Sequence, residues 1–315
     1  MSLVWELAGL KAAPGEKARG MVKLPGVERE IPLVLINGAA TGPQTVIFGG
    51  VHGCEYSSID AAIQLSQKLQ PAEVRGRVAV IPVVNIEAYA ARSIYINPVD
   101  GKNLNRFFPG QEAGTATERL AYQLTGLVLR NCDYFIDLHG GDMNEALVPF
   151  ILYAATADAE LNEKARLFAS AFGIRYIVSS DTTGSAYETA ANLGKVAVLA
   201  EAGQQGIYDP AMAALLVNGS LNALRSVGVL AGAAVEHAGL VELQDFIWTR
   251  SEHFGTWYPL VRVGDEVQPG QKAGEVRDLL GNLLQEVFVE IQGTVLFSVT
   301  SLAINAGDPL FAVGR

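Results

Sequence analysis

Four histidines occur in this 315-residue chain, at positions 52, 139, 237 and 253. His52 stands three residues before Glu55, an H-x-x-E pair in the segment Val-His-Gly-Cys-Glu. Imidazole and carboxylate are suitable ligands for Zn²⁺, and three protein ligands with one open position define a catalytic rather than a structural zinc site. The third ligand has to come from a distant segment. His139, in Asp-Leu-His-Gly at 137–140, is the natural candidate, because it repeats the context of a histidine just past an apolar run. Each histidine alone also reads as a satisfied structural imidazole. Asp137 lies two residues before His139, on the same face if the strand continues. It is either a residue that orients a ligand or a buried, hydrogen-bonded acid. His237 and His253 read as surface or internally satisfied histidines, with His253 left open to approach the cleft. Cys54 adjoins a proposed ligand, and a thiolate binds zinc. Neighbours in one H-x-x-E turn rarely both reach one metal, so Cys54 reads as packing. Cys132 precedes a core strand and reads as buried.

These residues need a frame to hold them. The stretch 45–51 is a continuous apolar run entering His52-Gly53, as a buried strand entering a loop does. Helical spacing follows over 57–69, with Ser57 or Ser58 as cap candidates. Strands are expected at 18–24, 30–36, 77–84, 134–138, 150–153, 176–178 and 195–201. Helices are expected at 117–130, capped by Thr115 or Thr117, and at 158–172 and 211–227. Strands alternating with helices make an α/β domain, a largely parallel or mixed sheet with helices on both faces. His52 and His139 then fall beyond the C-terminal ends of core strands, the edge where open α/β sheets bind ligands. From 240 onward, frequent turns and short runs read as a small all-β unit. The boundary lies near 230–240, giving domains 1–235 and 236–315.

Three further segments carry a resemblance. The polar loop 100–110 contains Asn103, Asn105 and Arg106, and the expected strand 195–201 runs into Val-Leu-Ala-Glu-Ala-Gly at 198–203. With H-G-x-E at 52–55 and D-L-H-G at 137–140, the chain resembles the succinylglutamate desuccinylase/aspartoacylase family, within the zinc carboxypeptidase-like group. The motifs stand in family order over roughly 45–205. The resemblance implies a zinc-carboxypeptidase-like mixed sheet flanked by helices, with a small C-terminal barrel-sandwich-like β domain. It implies that His52, Glu55 and His139 hold one Zn²⁺ per subunit, which brings bound water to a pKa of about 7. Glu201 becomes the catalytic glutamate that takes the water's proton and passes it to the leaving amine; its other reading is an edge-exposed acid. Asn105 and Arg106 bind a substrate carboxylate, or else staple the loop. By position, Arg92 is the second family arginine, which polarises the scissile carbonyl. Tyr187 and Tyr208 are both candidates for the tyrosine that the family places near that carbonyl.

The expected activity is therefore hydrolysis of a small, anionic N-acyl amino acid or related N-acyl compound. The alternative is a zinc carboxypeptidase or an esterase on the same scaffold. A non-catalytic module predicts loss of a ligand or of the glutamate, and neither is lost. Composition agrees: 50% hydrophobic and 18% charged residues exclude wholesale disorder. A net charge of −10 argues against nucleic acid and anionic membranes as partners. Two cysteines are too few for a disulfide framework, and no apolar run approaches the ~18 residues of a membrane span. The N-terminal twenty residues carry Glu6 and no basic stretch before an apolar core, so they do not read as a signal peptide; a cytoplasmic protein is expected. In the C-terminal unit, 264–270 is echoed by 306–310, as in lipoyl- or biotinyl-carrier sandwiches. The hairpin between them reads Asp-Leu-Leu-Gly at 278–281 without the carrier lysine. That unit is a structural or gating element over the cleft, or a surface for homo-oligomer formation.

Overall fold

The computed structural model describes residues 4–315; the first three residues of the N-terminal segment considered above lie outside them. Nine strands form a mixed sheet. In spatial order they are Val241–Leu243, Tyr176–Ser180, Phe150–Ala154, Val196–Glu201, Tyr134–His139, Ala40–Phe48, Arg75–Ile81, Ile31–Asn37 and Glu16–Val22. The centre is parallel, with Tyr134–His139 paired to both Ala40–Phe48 and Val196–Glu201. Strands buried on both faces read as continuous apolar runs, and these do.

Alternation along each strand sorts the core into two layers. Val46, Phe48, Phe135, Ala197 and Leu199 pack on one face, against the helices Ala116–Leu127 and Ala186–Asn192 and the hairpin of Trp5–Leu7 with Leu10–Ala12. Ile47, Ile136, Leu138, Val198 and Ala200 pack on the other, against Tyr56–Lys68, Ala159–Ser170 and Pro210–Ser226. Helix starts follow local chemistry. Thr115 and Glu118 form a capping box. Asp158 and Asp209 accept from first-turn N–H groups, and Pro210 takes the first helical position, where no N–H is needed.

Several expectations are corrected. The helix expected from 57 starts at Tyr56 with Glu55 at its N-cap, and neither Ser57 nor Ser58 caps it. Ser58 Oγ instead donates to the Glu55 carbonyl at 2.8 Å. The helix expected over 117–130 stops at Leu127 and continues as a 3₁₀ turn, Leu129–Asn131. Two short helices, Ile86–Ala91 and Ala186–Asn192, were not expected. They are six and seven residues long, too short for periodicity to announce them.

The C-terminal residues form two antiparallel layers. One holds Phe246–Arg250, Pro309–Gly314, Gly293–Val299 and Glu266–Val267, and the other Leu283–Phe288, Lys272–Arg277, Gly255–Pro259 and Ala303–Ile304. Trp257, Val276, Val295, Phe297 and Phe311 fill the space between them. Two exchanges lock this sandwich to the large sheet. Glu145–Leu147 pairs with Gly293–Val299, and Val241–Leu243 adds to the edge strand Tyr176–Ser180. Leu147, Phe150, Tyr176, Val178, Leu243 and Leu296 make the apolar seam. Among the described residues, no helix is long and apolar enough to cross a membrane.

The turn carrying His52 and Glu55 is pressed against the short helix Ile86–Ala91. A Cβ on Gly53 would lie 2.2 Å from the Ala88 carbonyl carbon and 2.3 Å from Tyr89 N. Gly53→Ala should therefore destabilise the protein by about 1–3 kcal/mol or more through backbone displacement. Gly126→Ala, in open space within a helix, should stabilise it by about 1 kcal/mol. Denaturant titration of the two variants checks both signs.

Candidate active site and metal centre

Strand register brings the chemistry to one edge. His139 and Glu201 are direct partners across adjacent parallel strands, and Asp137 is the partner of Phe48. Alternation puts Asp137, His139 and Glu201 on the same face as Phe135 and Leu199. Beyond Phe48 the chain turns through 49–55, bringing His52 and Glu55 over that edge. Glu55 occupies a helix N-cap, where the helix dipole favours a negative charge. Its carboxylate faces the imidazoles rather than its own helix.

Glu55 lies between two histidines. His52 Nδ1 is 2.6 Å from Glu55 Oε1, and His139 Nδ1 is 3.0 Å from Oε2. Gly140 N–H donates to Oε2 at 3.3 Å. The outer nitrogens decide the tautomers. Asn103 Oδ1 accepts from Asn105 N–H at 2.9 Å, which identifies it as the amide oxygen, and it lies 3.0 Å from His52 Nε2. That nitrogen must then carry a proton. His139 Nε2 lies 3.2 Å from Asp137 Oδ1, off the hydrogen-bond axis but within ion-pair range. A neutral imidazole with its proton on Nε2 turns the lone pair of Nδ1 toward the carboxylate. Lone pairs meeting at 2.6 and 3.0 Å require positive charge between them, either protons or a metal ion. The donor atoms of His52, Glu55 and His139 all lie within 4.8 Å of one another, and among the described residues no other group of histidines, cysteines and acids does this. The residues fit a metal ion.

Without a metal, the charges respond to one another. Burial pushes the Glu55 carboxyl up, but the imidazoles of His139 and His52 outweigh it and bring it to about 2. Burial disfavours protonated His139, yet Asp137 and Glu55 hold its pKa well above the usual imidazole range. Glu201 is held well above the usual carboxyl range by burial; His139 opposes the shift and Glu55 and Glu145 add to it. Glu201 Oε2 is buried with no hydrogen-bond partner, a costly arrangement unless something polar faces it.

A cavity of about 880 Å³ opens over the group. His52, Glu55, His139, Asn105, Arg106, Glu201 and Tyr187 all line it. Asn105 is buried, and its Oδ1 accepts from Ala186 N–H at 3.1 Å, leaving Nδ2 as the donor the amide can offer. The Tyr187 hydroxyl is buried without an aligned partner. Tyr208 is exposed, donates to Asp60 at 3.2 Å and does not line the cavity.

Arg92 is not brought into the group. It is the exposed, left-handed C-cap of Ile86–Ala91 (φ 54°) and lies off the cavity. His237 and His253 stay outside, and Cys54 is buried, its thiol pushed up by burial. Sequence reading missed Tyr95, Asn103 as the partner of His52, and Glu145. Tyr95 and Glu145 stand outside every motif; Asn103 was visible only as one polar residue in a polar loop.

Comparison with known proteins agrees with this geometry. The "Succinylglutamate desuccinylase/Aspartoacylase catalytic domain" matches residues 41–227. The N-alpha-acetyl-L-2,4-diaminobutyric acid deacetylase of Halomonas elongata is 31% identical over 312 residues, covering 94% of this chain and 91% of that protein. The product-bound ectoine utilization protein EutE (DoeB) of Ruegeria pomeroyi superposes with a TM-score of 0.85 at 27% identity, over 100% of this chain and 99% of that one. The succinylglutamate desuccinylase/aspartoacylase of Rhodobacter sphaeroides gives 0.81 at 27% identity, over 95% and 94% of the two chains. With its catalytic motifs gathered at one sheet edge and these relatives matched over nearly its whole length, the chain belongs to the succinylglutamate desuccinylase/aspartoacylase family.

Proposed function

We propose that this protein is a zinc-dependent deacylase that hydrolyses the amide bond of a small N-acyl amino acid, with one Zn²⁺ per subunit held by His52, Glu55 and His139. The observation that carries this reading is the pair of Nδ1 atoms converging on Glu55 beside the buried, unpartnered Oε2 of Glu201. Two imidazoles and one carboxylate match a catalytic zinc site, and the ion supplies polarisation of the scissile carbonyl and acidification of water.

Glu201 takes the proton from the attacking water and delivers it to the leaving amine nitrogen. Burial makes its carboxylate a better base than an exposed one. Asn103 and Asp137 keep the two imidazoles in the tautomer that offers Nδ1. Arg106 and the Asn105 amide hold the substrate carboxylate. The Tyr187 hydroxyl, needing a partner, donates to the reacting carbonyl oxygen. Residues 1–235 carry the chemistry in this reading, and 236–315 close the cavity. The Halomonas relative makes Nα-acetyl-L-2,4-diaminobutyrate the first compound to assay. A cytoplasmic location suits such a metabolite-sized substrate.

Four outcomes are expected. Glu201→Gln should lower kcat by about 10²–10⁴-fold while keeping its zinc by elemental analysis; unchanged turnover, or full activity after chelation, would sink the reading. His52→Ala should lose the metal, and Asn103→Ala should weaken zinc binding by about 10–100-fold. Zinc must displace protons that the acids around His52 and His139 hold more firmly than usual. Affinity should then fall on acidification, by about tenfold per pH unit for each proton displaced, measured by competition with a chelator.

A further inference from the structure

Two guanidinium groups line the cavity with no acidic partner. Arg106 Nη1 donates only to the neighbouring Asn105 carbonyl at 2.7 Å. Arg250, from the C-terminal sandwich, donates through Nη1 to the Gly307 carbonyl at 2.9 Å. Neither takes part in an ion pair among the described residues. Burial presses hardest against the charged form of Arg106 and the like charge of Arg250 adds to it, while Tyr187, Glu145 and Glu201 favour it without forming an ion pair.

The strand Phe246–Arg250 explains how Arg250 reaches the cavity. Residues 246, 248 and 250 share one face of a strand, and Phe246, Trp248 and Arg250 all line the cavity. A register shift between Thr249 and Arg250 interrupts the pairing with Pro309–Gly314. Irregularities of this kind re-aim a side chain at a strand end. Two cations facing one space repel each other until an anion is shared between them, and planar guanidinium forks match a carboxylate.

We propose that Arg106 and Arg250 together clamp a single substrate carboxylate, so that the C-terminal β unit supplies half of the anion site. The cavity also presents Asp181 and Asp308, together with Glu145, whose carboxyl burial pushes up to about 7. These acids repel a second anionic group, so the substrate is an N-acyl amino acid with one carboxylate and a neutral or cationic side chain. The identity of that substrate rests on the deacylase reading; the clamp does not.

The test uses the zinc-loaded full chain and Nα-acetyl-L-2,4-diaminobutyrate. Arg250→Ala should raise KM by about 10–100-fold, the worth of a charge-assisted hydrogen bond, with a much smaller change in kcat, and Arg250→Lys should recover part of the loss. Trp248 reads binding without turnover. It is 39% exposed in the cavity wall, whereas Trp5 and Trp257 are 4% and 1% exposed. In the Glu201→Gln background its emission should titrate with the acetyl compound. The response should weaken in Arg250→Ala and with the corresponding carboxamide, and N-acetyl-L-aspartate should bind about tenfold or more weakly. A KM shift below about twofold with an unmoved titration, or a loss confined to kcat, overturns the clamp. Equal binding of N-acetyl-L-aspartate overturns the single-carboxylate class. If the compound is not hydrolysed but its Trp248 titration is lost in Arg250→Ala, the clamp stands and the deacylase reading falls. If it is hydrolysed with neither KM nor emission sensitive to Arg250, the reverse holds.

Discussion

One buried carboxylate placed between two imidazole lone pairs sets the terms for the rest of this structure. Glu55 cannot stay buried and ionised beside neutral His52 and His139 unless positive charge lies among them. Everything nearby serves that condition. The helix Tyr56–Lys68 begins at Glu55 and points its dipole at it. Gly53 lets the turn lie against Ile86–Ala91. Asn103 accepts from the outer nitrogen of His52, and Asp137 lies within ion-pair range of that of His139, while the inner nitrogens face Glu55. The parallel register of two central strands then sets Glu201 beside His139.

Loops surround this group, and strain in them is tolerated because neighbours over-determine it. Tyr95 is a non-glycine residue at φ 57°, a conformation costing about 1–2 kcal/mol. Its N–H donates to Asp142 at 2.8 Å and its hydroxyl to Asn144 at 2.7 Å, tying it to the segment that follows His139. That segment continues into Glu145–Leu147, which pairs with the C-terminal sandwich. One short stretch therefore couples the strand of His139, the strained loop and the β unit. Acids outnumber permanently charged cations along the cavity lining. That balance suits a site in which a metal ion and a substrate, not the protein alone, complete the neutralisation.

The elements that position the site were largely legible in the sequence. Central strands buried on both faces are long apolar runs, and Val196–Glu201 and Tyr134–His139 announce themselves that way. The longer helices carry apolar spacing and caps. The short helices Ile86–Ala91 and Ala186–Asn192 do not, because one or two turns sample too little of the period, and their existence depends on what they pack against. The cap of Tyr56–Lys68 was misplaced for a related reason. Ser57 and Ser58 have the right chemistry, but the chain reverses at Glu55, and that choice is made by the imidazoles and the sheet edge.

Residue types and spacing alone singled out His52, Glu55 and His139 as candidate ligands, because metal ligation needs donors that few side chains offer. They also determined the α/β frame, through the period of its apolar residues. Only the tertiary structure put Tyr187 on the cavity and left Tyr208 and Arg92 off it, brought Arg250 to the cavity wall, and set Asn103 against His52. Those placements rest on which side chains share a cavity. Such sharing depends on strand register, a bulge and the docking of a distant sandwich. All three are long-range contacts, set by the packing of segments far apart in the chain and invisible to any local pattern within it.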